Sequence, residues 1–272
     1  MSVRVVVDSS ASLPEHVVRE LDITVVDLHR MESTTSGLSS LELAAAYARQ
    51  LERGGDDGVV VVHLSGQLSS TLSNAKAAAA VFEGAVRVVD TRCAGMVTGA
   101  AAMTAAVCAA QGKSLDECAD AATAMLDRAA TWLFLPKLDF MRKSGRLSAA
   151  TSMVSAATLA IKPIMTFRDG RLELAAKTRT TQKALSKLDT FVYDFADGAP
   201  CFVAVQHAGV AEEAYELRGR LATHLGGDSD VIVTEFDPAL AVHTGPGSLA
   251  IGVVRSIDPQ SGARDLLIHK GF

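Results

Sequence analysis

Aromatic side chains are scarce in this chain: Phe, Tyr and Trp together make up 5% of its 272 residues. The apolar volume therefore comes from Ala, Val and Leu, within a hydrophobic share of 49%. Small apolar side chains leave room between helices more readily than rings do, so the composition permits an internal cavity without requiring one. Cysteine is sparse as well. Cys93, Cys108, Cys118 and Cys201 show no CxxC or other metal spacing, which points to reduced, structural thiols and to neither zinc site nor disulfide framework.

Basic residues do not prevail. With 26 Lys and Arg against 31 Asp and Glu the formal charge is -5, the wrong sign for a surface built to hold a phosphate backbone. No nucleic-acid partner is expected. Nor does any apolar run reach membrane-spanning length. The most apolar, Ala94 to Ala110, falls short of the ~20 residues a span needs and is rich in Ala, Gly and Thr. It reads as a buried helix. The chain opens on MSVRVVVDSS, a strand pattern and not a signal peptide, so a soluble, cytoplasmic protein without an integral membrane segment is expected.

Familiar enzymatic signatures are missing too. There is no GxxxxGK[ST], no GxGxxG after the first strand, no HExxH and no GxSxG, which removes the readiest nucleotide, dinucleotide, zinc-protease and hydrolase readings. No cofactor, metal ligand or catalytic residue is expected. His63, His207 and His243 are present, but no Asp stands in an evident orienting role beside them.

What is present is an ordered alternation. Val3 to Val7, Ile23 to Leu28, Val59 to Leu64 and Val86 to Asp90 read as largely apolar strands. Helical patterns lie between and after them, from Pro14, Leu41 to Arg53, Thr71 to Phe82, Ala94 to Ala110 and Leu115 to Ala129. Such strands, separated by helices, predict a parallel sheet covered on both faces. The second half changes character: an apolar helix across Ala149 to Ala160, then a hairpin with Asp169-Gly170 at its turn. After it come a helix over Thr181 to Phe195, a strand over Phe202 to Gln206, a helix over Ala211 to Leu225, and strands over Val231 to Phe236 and Leu249 to Val254. The fold class is α/β in two domains, an N-terminal parallel α/β domain over 1–145 and a C-terminal α+β domain over 146–272.

Ligands of open parallel sheets bind at the carboxyl ends of the strands. The loops expected there are rich in hydroxyls: Ser9, Ser10 and Ser12 after the first strand, Ser33 to Ser40 before the helix at Leu41, Ser65 to Thr71 after the third strand. Ser69, Ser70 and Thr71 stand where a helix begins, and free N–H groups with the positive dipole end favour an anion there. Hydroxyls add neutral donors, suited to one carboxylate or phosphate held without a full counter-charge. Ordinary N-capping accounts for such residues equally well. Near the C-terminus, His243 stands on a Gly- and Pro-rich turn with Gly245, where glycine allows a ligand to approach the backbone and histidine can donate to it or titrate near neutrality. A histidine bonded within its own turn is the plain alternative. Lys137, Arg142, Lys143 and Arg146, with Lys162, Lys177 and Arg179, form a basic group on an acidic chain, either a solvated face or a docking surface for an acidic partner or phosphate.

Taken in order, these segments resemble the DegV family of bacterial fatty-acid-binding proteins. VVDSSASLP from Val6, TTSGLS from Thr34, LSSTLSNA from Leu68, RVVDTRCAG, KLDFMRKSGRLS, LAIKPIM, DGRLEL with KTRT, QHAG and HTGPGSLAIG all follow the family's sequence of motifs. The resemblance implies a carrier, not an enzyme, with a long-chain fatty acid in a tunnel between the two domains. It also implies a separate fatty-acid kinase that phosphorylates the presented carboxylate. By position, Thr35 and Ser69 would hydrogen-bond the carboxylate and His243 would lie beside the head group, with Ser36, Ser70, Thr71 and Gly245 also among the ligand-binding residues. Arg146 and Arg179 would face the partner or the phosphorylated head group. Departures from the family pattern are Ser70 in place of glycine, Gly37-Leu38 in place of Gln-Pro, Asp27 in place of proline, and a shortened stretch between Leu28 and Thr34. Rival readings are a carrier or sensor for another apolar carboxylate without a kinase, and a hydrolase using His243 as base.

Overall fold

A computed structural model describes residues 2–31, 34–147 and 161–256. They divide into two compact units, with Thr35–Asp127 and the preceding residues to Met31 in the first and the chain from Arg128, with Thr34, in the second. The sequence reading places the division at 145/146. The difference has a physical reason: Ala129–Phe134 is a strand hydrogen-bonded on both edges within the second sheet, whereas its apolar pattern alone would suit either sheet.

The first unit is a parallel sheet. β1 (Arg4–Asp8), β2 (Ile23–Val26), β5 (Val59–His63) and β6 (Val86–Asp90) lie in the order β2-β1-β5-β6, every pairing parallel. A further two-stranded ribbon, β3 (His29–Arg30) with β4 (Thr35–Ser36), follows β2. Helices cover the sheet. α1 (Glu15–Glu20) follows β1. α2 (Ser40–Gly54) packs with α3 (Thr71–Ala79), and α4 (Met96–Ala110) packs with α5 (Leu115–Leu126). Covered on both sides, β5 buries all its residues, which is why VVVVH reads as a continuous apolar run and not as an alternation. α4 is buried all round from Met96 to Ala109, as a helix between a sheet and a second helix must be. Among the described residues no helix is long and apolar enough to cross a membrane.

The second unit is a six-stranded mixed sheet. Its strands are β7 (Ala129–Phe134), β8 (Lys162–Arg168), β9 (Arg171–Thr178), β10 (Cys201–His207), β11 (Asp230–Glu235) and β12 (Leu249–Arg255). They lie in the order β11-β10-β12-β7-β8-β9, with only β10 and β11 parallel. The expected turn is there, with Asp169 and Gly170 both at positive φ between β8 and β9, the geometry that matches strand twist. Side chains alternate between two cores. Trp132, Phe134, Ile164 and Ile251 face one cluster with α7 (Thr181–Ala196) and α8 (Ala211–Leu225). Leu133, Leu135, Met165 and Ala250 face another with α6 (Asp139–Lys143) and α9 (Pro238–Thr244). The helix expected across Ala149 to Ala160 lies outside the described residues.

Candidate functional site

Two of the hydroxyl-bearing loops of the first unit, the one after β4 and the one after β5, lie against each other. Leu64 to Ser70 leaves β5 and leads into α3, whose first residue is Thr71. Ser69 Oγ and Thr71 Oγ1 are 2.9 Å apart, and Ser69 Oγ also accepts the Thr71 amide at 3.2 Å. Thr71 Oγ1, fully buried, accepts the amide of Leu38 at 3.3 Å, and Asn74 Nδ2 donates to the Leu38 carbonyl at 2.7 Å. These bonds bring the loop after β4 against the start of α3. The approach is close: a Cβ on Gly37 would stand 2.8 Å from Ser70 Oγ, 3.0 Å from Thr71 Oγ1 and 3.1 Å from Ser69 Oγ. Thr35 and Ser36 lie on β4, just before Gly37, half-buried and exposed respectively.

N-capping explains some of the serines and not others. Ser39 forms a full capping box with Glu42 at the start of α2, and Ser114 forms one with Glu117 at α5. Hydrogen bonds from the serine hydroxyls and amides hold both glutamates down to about 2. α3 is built differently. Ser70, at its N-cap position, is in the right-handed helical region, makes no cap bond, and no acid stands in the first turn. The leading amides of a helix lack intrahelical partners and carry the positive dipole end. At α3 they are left with neutral hydroxyls around them.

One constellation escapes sequence reasoning. Asp8, His63 and Tyr47 are fully buried in the first unit and joined in series: His63 Nδ1 stands 3.1 Å from Asp8 Oδ2, and His63 Nε2 stands 3.0 Å from the Tyr47 hydroxyl. Burial first, and the Asp8 charge second, push the Tyr47 hydroxyl well above its ordinary range. The carboxylate can only accept, so Nδ1–H donates to Asp8, and the Tyr47 hydroxyl closes the series at Nε2. An Asp in an orienting role thus exists, contrary to the sequence expectation, but its histidine addresses a buried phenol and no nucleophile. The available signal was that RVVVD and VVVVH, two apolar strands, each end on a titratable residue at the carboxyl edge. Parallel pairing of Val7 with Val62 makes those ends neighbours.

In the second unit, His243 stands in the last turn of α9 and not on an open turn, with Gly245 as the helix C-cap. Gly245 has φ 77°, and a Cβ there would come within 2.4 Å of Phe140 Cδ2 on α6. What approaches this glycine is a ring of the same chain. Burial, and then the charge of Arg146, lower His243 to about 4, so it is neutral at physiological pH and does not titrate near neutrality. Arg146 Nη1 donates to Thr34 Oγ1 at 3.2 Å. Arg179 is exposed on the connection between β9 and α7. The four cysteines are buried, and burial raises the Cys118 thiol to about 11. Among the described residues no group of His, Cys, Asp and Glu side chains is disposed to hold a metal ion.

Known proteins match this chain along nearly its whole length. The profile of the family described as "Uncharacterised protein, DegV family" covers residues 29–256. A DegV domain-containing protein of Corynebacterium glutamicum is 54% identical over 259 residues, covering 93% of this chain and 94% of its own. One of Mycobacterium bovis is 35% identical over 273 residues, covering 93% and 97%. The crystal structure of a DegV family protein from C. glutamicum, 53% identical, superposes with a TM-score of 0.91 over 94% of this chain and 99% of that one. A DegV family protein from Thermus thermophilus, described by its fatty acid binding, is 26% identical with a TM-score of 0.86 over 94% and 100%.

Proposed function

The chain belongs to the DegV family, and from that premise we propose that it binds a long-chain fatty acid and holds the carboxylate with the hydroxyls and leading amides at the start of α3. The observation that carries the reading is the gathering of three hydroxyls, Ser69, Ser70 and Thr71, around Gly37 at the start of α3, where Ser70 makes no capping bond and Ser69 Oγ takes the Thr71 amide. Thr35 and Ser36 join this set from β4. The related protein from T. thermophilus is described by fatty acid binding, and DegV of Bacillus subtilis, 25% identical, is described as a fatty acid binding protein. Neutral donors suit a carrier that must release its cargo, because charge-assisted clamps bind more tightly. Affinity comes from the tail instead, at ~0.8 kcal/mol for each buried methylene.

The same reading assigns presentation of the carboxylate to a separate kinase, which would make the acyl phosphate. In the second unit, His243 and Gly245 are assigned to the head group, and Arg146 and Arg179 to the partner or the phosphorylated product. Hydrolysis by His243 is disfavoured, since a side chain lowered to about 4 is a weak base at neutral pH. Organic extraction of the purified protein, followed by mass analysis, should recover a fatty acid near one per chain. Recovery of a different lipid class, or of none after loading with palmitate, ends the proposal. With ATP and a bacterial fatty-acid kinase, hydroxylamine should trap the acyl group as its hydroxamate. Trapping with ATP alone would make the chain an enzyme.

A further inference from the structure

Asp8 is the hub of the first unit's carboxyl edge. Its Oδ1 accepts the Ser10 amide at 3.1 Å and the Ser10 hydroxyl at 2.5 Å, and its Oδ2 accepts the Leu64 amide at 2.9 Å and His63 Nδ1–H. One buried carboxylate thus ties the loop leaving β1 to the loop leaving β5. Further bonds extend the tie. The Gly95 amide donates to the Ser10 carbonyl, the Ser65 amide to Cys93, and the Thr91 hydroxyl to His63, which joins the loop leaving β6. Beyond Leu64 the β5 loop folds on itself, with the Leu68 and Ser69 amides donating to the Ser65 carbonyl. That fold delivers Ser69 to Thr71.

A buried carboxylate is costly to desolvate, and an apolar residue would hold two packed strands as well. Removing Asp8, however, would leave the Leu64 amide, the Ser10 amide and His63 Nδ1–H facing each other without an acceptor. One of these donors, the Leu64 amide, stands at the root of the loop that carries Ser69, Ser70 and Thr71. We infer that Asp8 is a positioning residue for the head-group site, holding the β5 loop so that Ser69, Ser70 and Thr71 meet one carboxylate; this rests on the head-group reading above. Asp8 touches no ligand itself. Tyr47 completes the buried series but bonds to neither loop.

The experiment compares palmitate with hexadecanol, which has the same chain and no carboxylate, on the delipidated full-length protein. A parent that binds both equally, or neither, overturns the head-group reading and the inference with it. Given a parent that prefers the acid, Asp8→Asn should weaken palmitate by about tenfold, the scale of a hydrogen bond to a charged group, and leave hexadecanol within about twofold. Tyr47→Phe, which loosens the same core, should lower the thermal midpoint without changing the acid-to-alcohol ratio. Equal loss of both ligands in Asp8→Asn, or the same selective loss in Tyr47→Phe, leaves the head-group reading standing and overturns the positioning role. Should Asp8→Asn not fold, Ser10→Ala removes one donor while keeping the carboxylate. It should lower the ratio by about threefold, and an unchanged ratio counts against the inference.

Discussion

Gly37 and Ser70 stand so close that a β-carbon on the first would lie 2.8 Å from the hydroxyl of the second. The space at Gly37 Cα is shared by three hydroxyls, so a methyl group there must turn them away from their present directions.

Gly37→Ala should therefore weaken fatty-acid binding by roughly tenfold, since displaced donors cost about one good hydrogen bond. The atoms it meets are ends of side chains that can rotate, so the thermal midpoint should move by only a few degrees. Equilibrium titration with palmitate beside a melting curve checks both. Full affinity in the variant would remove the α3 hydroxyls from the head-group site.

Two serines of similar setting should behave in opposite ways. Ser39 caps α2 through Glu42, so Ser39→Ala should cost about 1 kcal/mol of stability and little affinity. Ser69 bonds to the Thr71 amide and hydroxyl at the start of α3. Ser69→Ala should lower affinity several-fold, by the ~1 kcal/mol typical of such a bond, with the fold retained. Denaturant unfolding and palmitate titration of both variants decide between them. If Ser69→Ala binds as the parent does, the assignment fails.

His243 should shape stability against pH. Folded, it takes up a proton only near pH 4, and unfolded near its ordinary value of 6.5. Between those values the unfolded chain binds more protons, so stability falls as pH drops from 6.5 towards 4. Glu42 and Glu117 act lower, their contribution being lost between their ordinary 4.5 and about 2. His243→Gln should flatten the upper window and leave the lower one unchanged. Melting curves across both windows test this, and parallel slopes for parent and variant above pH 4.5 would refute it.

Much of this molecule is legible along the chain because its governing rules are local. The period of VVVVH, the Asp169-Gly170 turn, the capping pair Ser39 and Glu42, and the buried character of Met96 to Ala109 each depend on a few successive residues and the backbone angles they favour. The order of motifs from VVDSSASLP to HTGPGSLAIG is likewise written in the chain and is enough to point to its family. Even the hydroxyl loops are visible, since serine and threonine gather wherever a strand hands over to a helix.

Long-range adjacency is a different matter. That Asp8 meets His63 follows from β1 lying beside β5, a choice of strand order that neither segment states. That Gly37 needs to be glycine follows from where α3 begins in space, and that Gly245 does follows from Phe140 as well as from its own positive φ. Ala129–Phe134 joins the second sheet because β12 and β8 offer it two edges. Strand and helix patterns specify which faces must be buried. Only the packing of those faces against one another decides which polar groups share an edge, and so which carboxylate, imidazole and hydroxyls come within a hydrogen bond of each other.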